Sequence, residues 1–116
     1  MGRPGLVAGG LIARGEIWTY EFNPPDKRRP VLVLTRDEAI PYLNALMVAP
    51  ITSTMRGSPA EVPVGVDEGL KHASAANLDQ VQTVAKQRLR KYVGRLGPAK
   101  MQSVCRALAI ATGCDG

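Results

Sequence analysis

The stretch Lys27-Arg28-Arg29-Pro30-Val31-Leu32-Val33-Leu34 predicts a buried strand that is entered through a cluster of positive charge. Val31 to Leu34 are apolar at consecutive positions, so both faces of this strand must be covered, as in the centre of a sheet. Pro30 is tolerable as the first strand residue. The cations before it therefore lie at a rim of the predicted sheet, where arginine can grip a phosphate through paired N–H donors.

Further strand patterns flank this segment on both sides. Glu16 to Phe22 alternates polar and apolar residues and is rich in β-branched and aromatic side chains, which is typical of a half-buried strand. Ala45 to Ile51 predicts another buried strand, and it delivers Thr52-Ser53-Thr54 to a polar edge. Between the two buried strands, Asp37 to Leu43 predicts a short helical turn that is interrupted at Pro41.

The second half of the chain predicts three more strands. Glu61 to Val64 reads as an edge strand because Pro63 cannot donate to a ladder. After a turn-rich connection at Val66 to Lys71, Ala75 to Ala85 predicts one long strand, and Tyr92 to Leu96 a short one. The total is five or six short strands.

The chain closes with an amphipathic helix. Gly97-Pro98 is a helix start, because proline is favoured at the first helical position, and Gly113 is a plausible stop. Apolar and small residues recur between them at helical spacing, forming one stripe: Met101, Val104, Cys105, Leu108 and Thr112. The predicted fold is mainly β (α+β), a small, strongly curved barrel or half-open sheet with a C-terminal helix packed on it.

Length and composition indicate one globular domain. The chain has 116 residues, of which 45% are hydrophobic and 22% charged, which is ordinary for a folded protein and too short for two cores. The apolar run at residues 6–12 is short and broken by glycines, so we expect a flexible extension over residues 1–13 and a single domain over 14–114. No run approaches the roughly 20 apolar residues that span a bilayer, and a cytoplasmic location is expected.

Most familiar catalytic arrangements are missing from the sequence. There is no glycine-rich phosphate loop between strand and helix and no His/Cys cluster, so no metal and no cofactor are expected. Cys105 and Cys114 fit neither a disulfide framework nor a zinc site, and we expect one core thiol and one surface thiol. His72 lies beside Lys71 without an obvious acidic orienter, which favours an ordinary surface histidine.

Positive charge dominates the last third of the chain. Lysine and arginine number 15 against 10 acids, a formal net charge of +5 with a pI near 9.6. No acid occurs between Asp79 and Asp115, whereas seven cations do: Lys86, Arg88, Arg90, Lys91, Arg95, Lys100 and Arg106. Such a distribution fits a polyanion or an acidic protein partner, or equally a solvated basic face that keeps the protein soluble.

Arg29 and Thr52 are the candidate reactive residues, because the strand that follows Arg29 and the strand that ends before Thr52 can converge on one rim of a small barrel. By themselves these signals are weak, since a basic turn is usually only solvated and threonine is common in strands. Four motifs in order strengthen them: Arg14 to Trp18, Lys27 to Leu34, Ala49 to Ser53, and Leu78 to Val84 followed by Lys86, Arg88 and Leu89. From Arg14 to Gly113 the chain thereby resembles the MazF/PemK/Kid toxin family.

The resemblance implies a dimeric SH3-like barrel of the PemK/CcdB type and a metal-independent endoribonuclease. It would cut single-stranded, mRNA-like RNA at short motifs through attack of the 2′-hydroxyl, leaving 2′,3′-cyclic phosphate and 5′-hydroxyl ends. By motif position Arg29 and Thr52 are the catalytic pair. Further RNA contacts are expected at seven positions: Lys27, Arg28, Ser53, Asp79, Gln80, Lys86 and Arg88. A MazE-like antitoxin with an acidic C-terminal segment is the expected protein partner.

One departure and two rival functions accompany the resemblance. The family usually carries a longer loop with a Gly-Ser-Glu stretch between its first two strands, where this chain has only residues 23–28 before Arg29. A CcdB-like gyrase poison would need an aromatic C-terminal tip, whereas the only tryptophan here is Trp18. A noncatalytic RNA-binding barrel would need aromatic stacking platforms, and aromatic residues make up only 4% of this chain.

Overall fold

The computed structural model describes residues 6–7, 10–23 and 27–115, with side chains from residue 11 onward. The strands in chain order are β1 (Leu6–Val7), β2 (Gly10–Leu11), β3 (Glu16–Glu21), β4 (Arg28–Val33), β5 (Ala45–Thr52), β6 (Glu61–Val64), β7 (Ser74–Asn77), β8 (Gln82–Ala85) and β9 (Leu89–Arg95). Four 3₁₀ turns, Ile40–Tyr42, Val66–Glu68, Leu78–Gln80 and Lys86–Arg88, precede the helix α1 (Pro98–Thr112).

Within the described residues, seven strands form one curved antiparallel sheet in the order β6-β7-β5-β4-β3-β9, and β8 pairs with β5. The short strands β1 and β2 pair only with each other. This half-barrel with a C-terminal helix confirms the predicted fold class. The sheet has seven strands instead of the five or six expected because the predicted long strand is divided, and β1 and β2 form a separate pair that was not anticipated.

The central strands bury both faces, as their consecutive apolar residues predict. Val31, Leu32 and Val33 are fully buried, and they alternate between two hydrophobic clusters on opposite faces of the sheet. One cluster contains Leu32 together with residues of α1. The other contains Val31 and Val33 together with Trp18. Burying each such side chain contributes about 1.5–3 kcal/mol.

The predicted long strand from Ala75 to Ala85 is wrong. The segment is divided into β7 and β8 by the 3₁₀ turn Leu78–Gln80, which inserts extra residues into the pairing with β5. The Asn77 side chain accepts a hydrogen bond from the Asp79 amide at 3.0 Å, which stabilises the turn. Leu78 is consequently buried among the residues that α1 covers, a placement that alternation alone does not reveal.

The helix begins and ends as predicted, but its buried face is rotated from the predicted stripe. Val104 and Ala107 are buried and Leu108 packs against the core, whereas Cys105 and Thr112 are exposed. The expected core thiol is therefore wrong, since both cysteines are exposed. Alanines count little in a hydrophobic pattern, so the burial of Ala107 was not predicted.

The structure also differs from three smaller predictions, which concern two prolines and the N-terminal residues. Pro30 is the third residue of β4 rather than its first, and it lies where β5 no longer pairs with β4. Pro41 lies inside the 3₁₀ turn Ile40–Tyr42 and does not interrupt it, because proline suits the first positions of a helical turn. Ile12 is fully buried, so the core extends into the predicted extension, most of which lies outside the described residues.

No helix among the described residues is long and apolar enough to cross a membrane.

Candidate functional site

A row of residues across three strands forms one side of a surface cavity. Thr19 on β3 pairs with Pro30 on β4 and with Lys91 on β9, and all three line a cavity of about 680 Å³. The Lys91 amide donates to Thr19 Oγ1 at 3.1 Å, which ties β9 to β3 at this point. Antiparallel pairing of three strands therefore supplies a rigid wall.

Arg29 and Thr52, which the sequence places at one rim, both line this same cavity. Arg29 precedes Pro30 on β4, and Thr52 ends β5, followed by Ser53 and Thr54, which also line it. The Thr54 amide donates to Thr52 Oγ1 at 3.0 Å. A hydroxyl that accepts from an amide still has its own O–H to donate. The Thr52 hydroxyl is thus oriented by the hydrogen bond that it accepts, and it can donate its own hydrogen to a ligand.

A loop between β6 and β7 also lines the cavity. Its residues Gly69, Leu70, Lys71 and His72 line the cavity. Gly69 has φ +96°, and a side chain there would meet the Val93 carbonyl oxygen at 2.4 Å. A Cβ at Gly94 would lie 1.8 Å from the Glu68 carbonyl oxygen. Two glycines therefore allow the loop backbone to lie directly against β9.

The cavity, which we call the cationic cavity, is lined by three basic residues: Arg29, Lys71 and Lys91. No acidic residue lines it within the described part of the chain. Across the described ranges, the side chains of these three cations make no hydrogen bond or ion pair with protein groups. Unpaired cations around a concave surface create a positive potential that attracts phosphate.

Six of the other predicted RNA contacts lie outside the cationic cavity. Of the seven predicted contacts, only Ser53 lines the cavity. Lys27 lies just before β4, and Arg28 is the first residue of that strand. Asp79 accepts a hydrogen bond from Ser58 Oγ at 3.2 Å. Gln80 is the last residue of the 3₁₀ turn that contains Asp79. Lys86 Nζ donates to the Ile40 carbonyl at 2.8 Å. Their contact with RNA stays a prediction.

Arg88 and Arg90 belong to a neighbouring basic surface that has protein partners, which we call the paired basic patch. Arg90 forms an ion pair with Glu21 at 2.6 Å, and Arg88 donates to Asn23 Oδ1 at 3.0 Å while its guanidinium lies 5.8 Å from the Tyr20 ring centroid. The hydrogen bond and charge of Arg90 lower the pKa of Glu21 below its ordinary value, and the charges of Arg28 and Arg88 add to this effect.

The sequence patterns missed several cavity residues. Thr19 and Lys91 were hidden because nothing in the sequence shows that β9 pairs with β3. His72 was interpreted as an ordinary surface histidine; it is exposed, but it lines the cationic cavity with Arg29 and Thr52. A possible signal was the coincidence of Lys71 with the single histidine in a glycine-containing loop. The shortened loop after β3 lies partly outside the described residues.

Among the described residues no group of three or more histidine, cysteine or carboxylate side chains is placed to hold a metal ion.

Comparisons with known proteins give a consistent result. The family model described as PemK-like, MazF-like toxin of type II toxin–antitoxin system matches residues 13–112. The probable endoribonuclease MazF5 of Mycobacterium tuberculosis is 44% identical over 107 residues, which cover 90% of this chain and 96% of that protein.

Solved structures resemble the fold closely. The Mycobacterium tuberculosis toxin MazF-mt6 superposes with a TM-score of 0.80 at 36% identity, covering 87% of this chain and 99% of the other. An endoribonuclease from a mycobacterial species, solved in complex with its cognate antitoxin, has a TM-score of 0.77 at 25% identity, covering 88% and 95%.

Proposed function

Because this chain belongs to the PemK-like, MazF-like toxin family of type II toxin–antitoxin systems, we propose that it is the toxin of such a pair and acts as an endoribonuclease on single-stranded RNA. One relative is named a probable endoribonuclease and one structural neighbour an endoribonuclease, which favours this activity over a gyrase poison. The observation that carries the proposal is the meeting of Arg29 and Thr52 in a cavity lined by cations and by no described acid.

The chemistry needs no cofactor, because RNA contains its own nucleophile. The 2′-hydroxyl attacks the adjacent phosphorus in line with the departing 5′-oxygen, which yields a 2′,3′-cyclic phosphate and a free 5′-hydroxyl. Arg29 stabilises the negative charge of the phosphorane through its guanidinium N–H donors. Thr52 donates its O–H to a phosphate oxygen. Lys71 and Lys91 bind neighbouring phosphates, which positions the strand in the cavity.

Substitution of Arg29 and of Thr52 tests the proposal directly. We expect the folded Arg29→Ala protein to lose about 10²–10³ in kcat on a long single-stranded RNA, the usual effect of removing one group that stabilises transition-state charge. Thr52→Ala should lose less, because one neutral hydrogen bond contributes about 0.5–1.5 kcal/mol. Cleavage by the wild type should persist in EDTA, and mapped 5′ ends should carry hydroxyls.

Matched controls separate chemistry from general charge. Arg36 and Thr83 are exposed residues outside the cavity, so Arg36→Ala and Thr83→Ala should keep wild-type turnover. Wild-type activity that disappears on chelation contradicts the proposal, as does RNA binding without any turnover.

The proposal extends to partners and place of action. We place the chain in the cytoplasm as a homodimer that a MazE-like antitoxin neutralises through an acidic C-terminal segment, which competes with RNA for the cationic cavity. One mycobacterial neighbour was solved with its cognate antitoxin. Simultaneous binding of RNA and antitoxin to one dimer, each at full affinity, contradicts this competition.

A further inference from the structure

The cleavage proposed above leaves one proton without an acceptor. The 2′-hydroxyl must lose its proton as its oxygen bonds to phosphorus, and a positioned base typically accelerates such a step by about 10²–10⁴. The titratable residues that line the cationic cavity are Arg29, Lys71, His72, Lys91 and Tyr92. Arginine, lysine and tyrosine side chains carry their protons at neutral pH, so they cannot accept another.

Histidine is the side chain that exchanges a proton near neutrality, and His72 is the single histidine of the chain. Arg29 faces the cavity from β4, Lys91 and Tyr92 from β9, and Lys71 from the same loop as His72. The acids of that loop, Asp67 and Glu68, line a separate groove instead. No described carboxylate therefore competes with the imidazole for the role of base at the cavity.

The backbone on both sides of His72 is fixed. Before it, the Gly65 carbonyl accepts from the Leu70 amide at 3.1 Å, and the Glu68 carboxylate accepts from the Gly65 amide at 2.6 Å. After it, the buried Ser74 donates its Oγ–H to the His72 carbonyl at 3.2 Å. The loop also lies against β9 at Gly69 and Gly94. His72 consequently presents an exposed side chain from an anchored backbone at the cavity that Arg29 also lines.

We propose that His72 is the general base of the cleavage reaction, an inference that rests on the endoribonuclease function proposed above. An imidazole nitrogen takes the proton of the 2′-hydroxyl while the O2′–P bond forms. The P–O5′ bond breaks, and the departing 5′-oxygen takes a proton from water. His72 then releases its proton to solvent, so the protein ends the turnover unchanged.

The decisive measurement is the pH dependence of single-turnover cleavage by wild type and by His72→Gln. A base must be neutral to act, so the wild-type rate should rise through the range in which an imidazole gives up its proton, about pH 5 to 8. His72→Gln should be slower by about 10²–10⁴ at pH 8, with little change in KM, and should lack this rise. Added imidazole should restore part of the rate to His72→Ala.

A substrate with a sulfur at the 5′ leaving position distinguishes a base from an acid, since a thiolate departs without protonation. If His72 is the base, His72→Gln should be slowed by the same factor on the 5′-thio and the ordinary substrate. Recovery of His72→Gln on the 5′-thio substrate shows that His72 protonates the leaving oxygen and overturns the assignment. A raised KM with unchanged kcat shows a binding role and also overturns it.

Controls separate this inference from the proposed function. Lys71→Gln, which removes the neighbouring cation, should raise KM but keep the wild-type pH transition. Thermal unfolding checks that His72→Gln is folded, as expected for an exposed side chain. If wild type cleaves, Arg29→Ala does not, and His72→Gln keeps the wild-type rate and profile, only the inference fails. If wild type does not cleave RNA, both fail.

Discussion

The cationic cavity and the paired basic patch are neighbouring basic surfaces with opposite internal arrangements. In the patch, Arg90 is paired with Glu21 and Arg88 with Asn23, whereas the cations of the cavity have no protein partner among the described residues. Adjacent residues of β9 contribute to the two surfaces, Arg90 to the patch and Lys91 to the cavity, because successive side chains of a strand point in opposite directions. A cation that is already paired offers less to a ligand, so the number of basic residues is a poor guide to where phosphate binds.

The largest difference in cleavage activity should appear when one arginine is removed from the cavity and, separately, one from the patch. Arg29→Gln should lower kcat by about 10²–10³, because it removes charge stabilisation at the reacting phosphate. Arg88→Gln removes an arginine that already interacts with Asn23 and the Tyr20 ring, so we expect less than about a tenfold loss, the effect of roughly 1 kcal/mol. Cleavage kinetics on one RNA substrate measure both, and equal losses would erase the distinction.

The next effect concerns the loop that gives the cavity its second wall. Gly94→Ala would place a methyl group 1.8 Å from the Glu68 carbonyl oxygen, so the loop must move away from β9. We expect about 1–3 kcal/mol of destabilisation and a fall in cleavage. Denaturant unfolding and cleavage assays measure the two effects.

A control for this substitution is available at the start of α1. A Cβ at Gly97 meets nothing within 4 Å, so Gly97→Ala should cost within about 1 kcal/mol, from the weaker helix cap, and should leave the cavity intact. A Gly94→Ala protein as stable and active as wild type would show that the close approach is unimportant.

A smaller effect should appear in the salt dependence of RNA binding. Lys91→Gln removes a cation that has no partner among the described residues, so the slope of log affinity against log salt should become shallower by about 0.7, the value for one phosphate contact with a single strand. Arg90→Gln removes a paired cation and should change the slope less. Fluorescence anisotropy with an RNA that carries a 2′-deoxy scissile nucleotide measures binding without cleavage. Equal slope changes would show that both surfaces contact phosphate.

The smallest effect should be on stability in acid. Arg90 beside Glu21 holds the pKa of that carboxyl below its ordinary value, so the pair stabilises the fold above that value and the contribution is lost as pH falls through the lowered pKa. Wild type should therefore lose more stability than Glu21→Gln between about pH 5 and pH 3. Thermal unfolding across this range tests it, and parallel curves for the two proteins would contradict a contribution from the pair.

Much of the fold was predictable because it depends on local patterns. The consecutive apolar residues of β4 and β5, the proline of the edge strand β6 and the Gly97-Pro98 helix start each have a physical cause within a few residues. The break at Leu78–Gln80 was not predictable, since it depends on Asn77 capping a turn and on space for Leu78 under α1. The exposure of Cys105 likewise depends on how α1 is rotated against the sheet.

For the candidate site, the sequence by itself predicted the pair Arg29 and Thr52, because the family resemblance carried by four ordered motifs points to them, and it determined the excess of positive charge. Only the tertiary structure decided which cations lack partners among the described residues and which further residues meet that pair. Lys91 reaches the cavity because β9 pairs with β3, and His72 because two glycines let its loop lie against β9. These are long-range contacts, fixed by strand pairing and close backbone approach between distant segments, and no local pattern encodes them.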